Sequence, residues 1–126
     1  MNGFVAQFLA AFIITLSLGL VSGSIGTVIG LLLAIAKGAT ASRLSGVLTA
    51  YTTLVRGVPE LVIILLIYFG GTTFASMVAG RYVEVNAFTA GVIALSVVFS
   101  GYATEVFRGA IAAVPAGQTE AAKSLG

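Results

Sequence analysis

The chain has 126 residues, 59% of them hydrophobic and only 8% charged, whereas roughly a quarter of an ordinary soluble domain is charged, so a water-exposed globular fold is excluded and the bilayer is the solvent. Cysteine and histidine are absent, which removes disulfides, thiolate chemistry and the commonest metal ligand, so neither catalysis nor a metal site is expected. The formal net charge is +2, but the basic residues are scattered near expected membrane boundaries instead of forming a patch, so they read as topology signals and not as a nucleic-acid surface.

Every ionisable side chain lies at or beyond Lys37. A membrane span needs about 20 apolar residues and a two-span hairpin roughly 40 plus a turn, so the uncharged N-terminal run predicts one tilted helix over residues 9–35 with an interfacial lead-in. Met1-Asn2-Gly3-Phe4 lacks the basic region of a secretory signal, so this helix is expected to remain uncleaved, and no lipid-anchor signature is present. Within it Gly19 and Gly23 are four apart, and Ser22, Gly26 and Gly30 repeat that spacing. Such rows let another helix approach closely, although glycine is also simply frequent in membrane helices.

The second apolar run, residues 61–80, is preceded by Tyr51, Arg56, Pro59 and Glu60 and predicts a helix over 58–80. Proline cannot donate a backbone hydrogen bond and disfavours helix at Val58, so a helix starts or breaks here. Arg56 and Glu60 are open to two readings. They form a boundary salt bridge at i,i+4, or they shape a gate beside a permeation path, because ionisable groups at membrane depth usually face a bundle interior.

The third run predicts a helix over 86–112. Its lower end carries Glu105 and Arg108, three apart on one face, which can neutralise one another at the interface or line the same path. Gly101, Gly109 and Ala110 admit close backbone approach, and Tyr102 supplies a hydroxyl ring. Lys37 and Arg43 follow the first span, Arg56 opens the second, and Arg108 and Lys123 follow the third, whereas the loop between the second and third holds only Arg81, balanced by Glu84. The positive-inside rule therefore places the N-terminus and residues 81–86 outside and residues 115–126 in the cytoplasm.

The terminal stretch is polar and helix-forming. Pro115 ends the third helix, Gly117 loosens the turn, Thr119 or a neighbour caps a new helix with Glu120 in its positive first turn, and Gly126 suits a stop or bend. Gly117 with Lys123-Ser124 imitates a phosphate-binding loop, but such a loop needs glycine where Ala122 stands and a preceding strand, so nucleotide binding by this chain is rejected. A small-residue helix with little to bury alone is built to dock.

Three motifs in order, Tyr51-Thr52-Thr53-Leu54-Val55-Arg56-Gly57-Val58-Pro59-Glu60-Leu61, then Thr104-Glu105-Val106-Phe107-Arg108-Gly109-Ala110, then Gly117-Gln118-Thr119-Glu120-Ala121-Ala122 with Gly126, resemble the permease subunits of bacterial ABC importers for polar amino acids, of the histidine and arginine type. The resemblance covers nearly the whole chain from about Thr15. It implies an all-α membrane fold in which the three spans, N-terminus outside, form the first part of an about five-helix permease in the bacterial inner membrane, with residues 1–126 a single partial transmembrane domain. It also implies a second permease subunit, two cytoplasmic ATPase subunits that bind the ATP, and an extracytoplasmic amino-acid-binding protein. The resemblance further implies that Gly117, Glu120, Ala121, Ala122 and Gly126 form the coupling helix that inserts into the ATPase, and that the chain continues beyond Gly126, so that the sequence looks truncated at its C-terminus. Two rivals of other classes are an ATP-independent channel or secondary-transporter subunit and a membrane scaffold that merely recruits a partner.

Overall fold

The computed structural model describes residues 1–39 and 42–126. The described residues form five α-helices and no strand: α1 (Asn2–Ala39), α2 (Ser42–Gly57), α3 (Glu60–Ala79), α4 (Ala87–Ala112) and α5 (Ala116–Ser124). Of these, α1, α3 and α4 are long and apolar enough to cross a membrane, as the runs of apolar sequence require.

The first helix begins at Asn2, not near residue 9, so the expected lead-in is itself helical. At a rise of about 1.5 Å its 38 residues span about 57 Å, nearly twice the ~30 Å hydrocarbon layer. Nothing in residues 2–8 interrupts it, and in lipid a helix satisfies its own backbone. Its hydroxyls are absorbed in the same way. Thr15, Ser17, Ser22, Ser24 and Thr27 each donate to the carbonyl four residues earlier, at 2.9, 2.7, 2.5, 2.8 and 2.7 Å.

The α2 helix is the element that apolar run length misses. It is too short and too polar to span, but Leu48, Tyr51, Thr52 and Val55 form a covered stripe, while Arg43, Val47, Leu54 and Arg56 lie outside. That i, i+3, i+4, i+7 pattern marks an amphipathic helix lying on a neighbour. Arg56 therefore closes α2 and does not open the second span. The chain breaks over Val58 and Pro59, and α3 starts at Glu60 with Pro59 as its N-cap, whose carbonyl accepts from Val62 N at 3.0 Å. Proline locks φ and excludes the preceding residue from helical geometry, which is why the break falls there.

At the other end of α3, Gly80 closes the helix at φ 65, a left-handed position that favours glycine. The link to α4 is strapped back onto α3. Ser76 Oγ accepts from Val83 N at 2.9 Å and donates to Val83 O at 3.2 Å. Thr72 Oγ1 accepts from Val85 N at 3.2 Å, and Tyr68 donates to Glu84. Asn86 Oδ1 then caps α4 by accepting from Phe88 N at 2.9 Å and Thr89 N at 3.3 Å. Asn86→Ala removes both bonds and should cost about 1 kcal/mol, the usual value of a helix cap, read as a lower thermal midpoint of the detergent-solubilised protein with an unchanged fold.

The centre of the molecule is α4, which packs against α1, α2 and α3; α1 also touches α2, and α5 touches none of them. Small residues make this possible. The buried side of α4 is Ala90, Gly91, Ala94, Ser96, Val98, Ser100, Gly101, Ala103 and Thr104, and α1 meets it with the buried row Ser22, Gly26, Gly30 and Ala34. A Cβ on Gly26 would stand 2.9 Å from Phe99 Cβ, and one on Gly30 would stand 2.5 Å from Ala103 Cβ and 3.0 Å from the Thr104 amide. The expected glycine seam thus splits into two rows, because Gly19 and Gly23 have nothing within 4 Å and face open space. Gly101 meets Val55 of α2, whereas Gly109, also expected at a close approach, has no neighbour within 4 Å.

Candidate functional site

Three places in the fold bring chemistry together, and the first is a cleft on the open side of the α1–α4 pair. Its volume is about 270 Å³, and Gly19, Ser22 and Gly23 of α1, Glu60 of α3, and Leu95, Val98, Phe99 and Tyr102 of α4 line it. The bare glycines leave this space and the Pro59 break delivers Glu60 to it. The guanidinium of Arg56 lies 5.6 Å from the centroid of the Tyr102 ring, a cation–π distance. Glu60 and Arg56 form no ion pair among the described contacts. The i,i+4 bridge needs one continuous helix, and the break at residues 58–59 puts the two residues on different ones. The cleft is apolar for most of its wall, with an anion at its edge and a cation held over its aromatic side.

The second place is a polar node between the ends of α1, α2 and α4. Glu105 Oε1 accepts from Lys37 Nζ at 2.9 Å, and Glu105 Oε2 accepts from Arg108 Nη2 at 2.9 Å and Nε at 3.1 Å. Thr52 donates from Oγ1 to Thr49 O at 3.1 Å and lies 3.4 Å from Glu105 Oε1. The anticipated Glu105–Arg108 pair is therefore present, but it is half of a larger arrangement. The Lys37 and Glu105 side chains keep 11% and 19% of their exposure and Arg108 keeps 50%, so the Lys37 arm is the desolvated one, and removing either of its partners would strand a charge with little water. Tyr51 lines neither this node nor the cleft: its hydroxyl bonds Ser100 Oγ at 2.9 Å and donates to Val97 O at 3.3 Å, tying α2 to α4 separately. Of the six residues expected on a path or gate, Glu60 lines the cleft, Arg56 stands over its Tyr102 wall, Pro59 makes the break, Glu105 and Arg108 lie in the polar node, and Tyr51 joins α2 to α4.

The third place is α5. Every residue from 111 to 126 is exposed, and the helix touches no other element. Its N-cap is Pro115 with no side-chain cap, and Gln118 N reaches Pro115 O at 3.0 Å. The helix therefore starts earlier than expected. Gly117 lies inside its first turn instead of loosening a turn before it, Thr119 does not cap, and Glu120 falls beyond the first turn, where the dipole effect has faded. Proline explains the shift, since its fixed φ suits a helix entry without a hydroxyl cap. Gly126 follows at φ 104.

Two participants escaped sequence reasoning. The partnership of Lys37 with Glu105 joins residues 68 positions apart, and no local pattern signals it. Tyr102 as the cleft wall had a weak signal, since Phe99 and Tyr102 lie three apart on one helical face.

Residues 26–126 match the family model described as binding-protein-dependent transport system inner membrane component. The chain is 40% identical over 126 residues to the arginine ABC transporter permease protein ArtQ of Haemophilus influenzae, covering 99% of this chain and 56% of that protein. It is 40% identical over 130 residues to the histidine/lysine/arginine/ornithine transport system permease protein HisQ of Escherichia coli, with 98% and 56% covered. The nopaline transport system permease protein NocQ of Agrobacterium fabrum is 47% identical over 107 residues, with 80% of this chain and 45% of that protein covered. Among solved structures, a crystal structure of an amino acid ABC transporter with histidines superposes with a TM-score of 0.81 at 39% identity, over 100% of this chain and 56% of that one. The chain spans about half the length of the curated relatives it matches.

Proposed function

Since the chain belongs to the family of binding-protein-dependent transport system inner membrane components, we propose that it forms part of the permease of an ATP-driven importer for polar, basic amino acids. The observation that carries this reading is α5: a helix bearing Glu120, Ala121 and Ala122 that is exposed on every side and touches no other helix among the described residues. Such a helix is free to enter a groove on a partner, its alanines permit close approach, and its carboxylate fixes orientation. The partner is a cytoplasmic ATPase pair that binds and hydrolyses the ATP; this chain binds no cofactor and contributes no catalytic group. A second permease subunit, an external amino-acid-binding protein and membrane lipid complete the assembly. Gly117, Glu120, Ala121, Ala122 and Gly126 form the coupling segment, and the charge asymmetry sets the N-terminus outside and α5 in the cytoplasm.

The cleft supplies the substrate side of the proposal. A carboxylate at Glu60 attracts an ammonium or guanidinium group, the apolar wall accepts an aliphatic stem, and Arg56 behind Tyr102 offers a countercharge for a carboxylate. The relatives named for arginine, histidine and lysine support basic substrates. Glu60→Gln should lower the apparent affinity for arginine by about tenfold, the ~1.5 kcal/mol of a charge-assisted hydrogen bond, in uptake by proteoliposomes holding the permease, its ATPase and ATP. Unchanged arginine affinity would remove Glu60 from the path. Uptake that continued without ATP would exclude an importer of this kind and favour a channel.

A further inference from the structure

We propose that Glu105 is the positioning residue through which movement of α5 reaches α1 and α2. This inference rests on the coupling role of α5 given above. Residues 113–115 join α5 directly to the last turn of α4, so a movement of α5 reaches α4 along the chain. Glu105 lies about two turns from that end, and its carboxylate faces Lys37 of α1, Thr52 of α2 and Arg108 of α4 itself. The other α1–α4 contacts above it are small-residue packing, as at Gly26 and Gly30, with one long hydrogen bond from Ser96 Oγ to Ser22 O at 3.4 Å, and packed surfaces of that kind can slide in small shear steps. A desolvated ion pair cannot. Separating Lys37 from Glu105 leaves two charges with little water to receive them, so the pair holds α1 to α4 as α4 shifts. Arg108, half exposed, closes the second oxygen of the carboxylate and keeps it turned toward Lys37. The node is thus a rigid joint placed where the freely projecting helix enters the bundle.

A purely structural role and a coupling role separate in one experiment on the complete transporter in proteoliposomes, with permease, ATPase and binding protein present. The readouts are the ratio of substrate-stimulated to basal ATP hydrolysis and the thermal midpoint. Glu105→Gln is expected to lower both, the ratio by about tenfold, the scale of a typical inter-site coupling. Adding Lys37→Met to Glu105→Gln removes the stranded charge and should restore the thermal midpoint while leaving the ratio low. Recovery of the wild-type ratio in that double variant would overturn the inference and leave Glu105 as scaffolding. Should Glu105→Gln fail to assemble, Glu105→Asp keeps the charge but draws the carboxylate back from Lys37 by one methylene, and should reduce the ratio; an unchanged ratio there also overturns it. A wild-type assembly showing no substrate stimulation, or no bound ATPase, would instead defeat the importer reading itself.

Discussion

Gly30→Leu is expected to leave the chain inserted in the membrane but to prevent α1 from packing on α4. A Cβ at this position already stands 2.5 Å from Ala103 Cβ, 3.0 Å from the Thr104 amide and 3.1 Å from the Ser100 carbonyl. Two of these are backbone atoms, so no side-chain rotation relieves the clash, and three further carbons deepen it. Overpacking a close-packed site costs about 1–3 kcal/mol and sometimes more; here the loss should reach at least ~3 kcal/mol, because α4 is the element on which α1, α2 and α3 all rest. Insertion survives because each apolar helix satisfies its own backbone before the helices associate. The measurement is size-exclusion behaviour and thermal midpoint in detergent. Gly23→Ala is the matched control, on the same helix with nothing within 4 Å. Replacing an unconstrained helical glycine by alanine should stabilise, by up to about 1 kcal/mol. Equal loss from both substitutions would mean that the seam is not where α1 and α4 meet.

Glu120→Arg is expected to abolish uptake without altering the stability of the subunit. Among the described residues no other helix contacts α5, so the packing of these helices is untouched, and a surface change of this kind stays within about 0.5 kcal/mol. In the proposed docking on an ATPase, the same change would put a cation where an orienting carboxylate enters a groove that must exclude water. Reversing a charge at such an interface costs on the order of 2–5 kcal/mol, enough to remove the ATPase during purification. Copurification of the two proteins and ATP-dependent uptake are the readouts, with the thermal midpoint as the check on folding. Full copurification and normal uptake by Glu120→Arg would remove α5 from the coupling interface.

Much of the fold is legible from local pattern, and the exceptions share a cause. The apolar runs identify α1, α3 and α4 because hydrocarbon admits only long uncharged helices. Pro59 marks the α2–α3 break because its ring forbids helix at the residue before it. By contrast, α2 is hidden: its covered stripe of Leu48, Tyr51, Thr52 and Val55 is interleaved with Arg43, Thr49, Thr53 and Arg56, so run length reads it as a loop and only a 3.6-residue period finds it. At α5 the existence of the helix is legible but its start is not, since a hydroxyl cap and a proline entry compete over Pro115 to Thr119.

By itself the sequence determined the solvent, the spans, the break at Pro59 and the existence of the last helix, all properties of neighbouring residues and their hydration. Only the tertiary structure decided which glycine row packs and which opens a cleft, that Arg56 stands over Tyr102 and not against Glu60, and that Glu105 holds Lys37 as well as Arg108. These depend on the rotation of each helix about its axis and on which neighbour it meets. Two four-residue rows such as Gly19–Gly23 and Ser22–Gly26–Gly30 are equivalent in pattern, and α4 can cover just one of them.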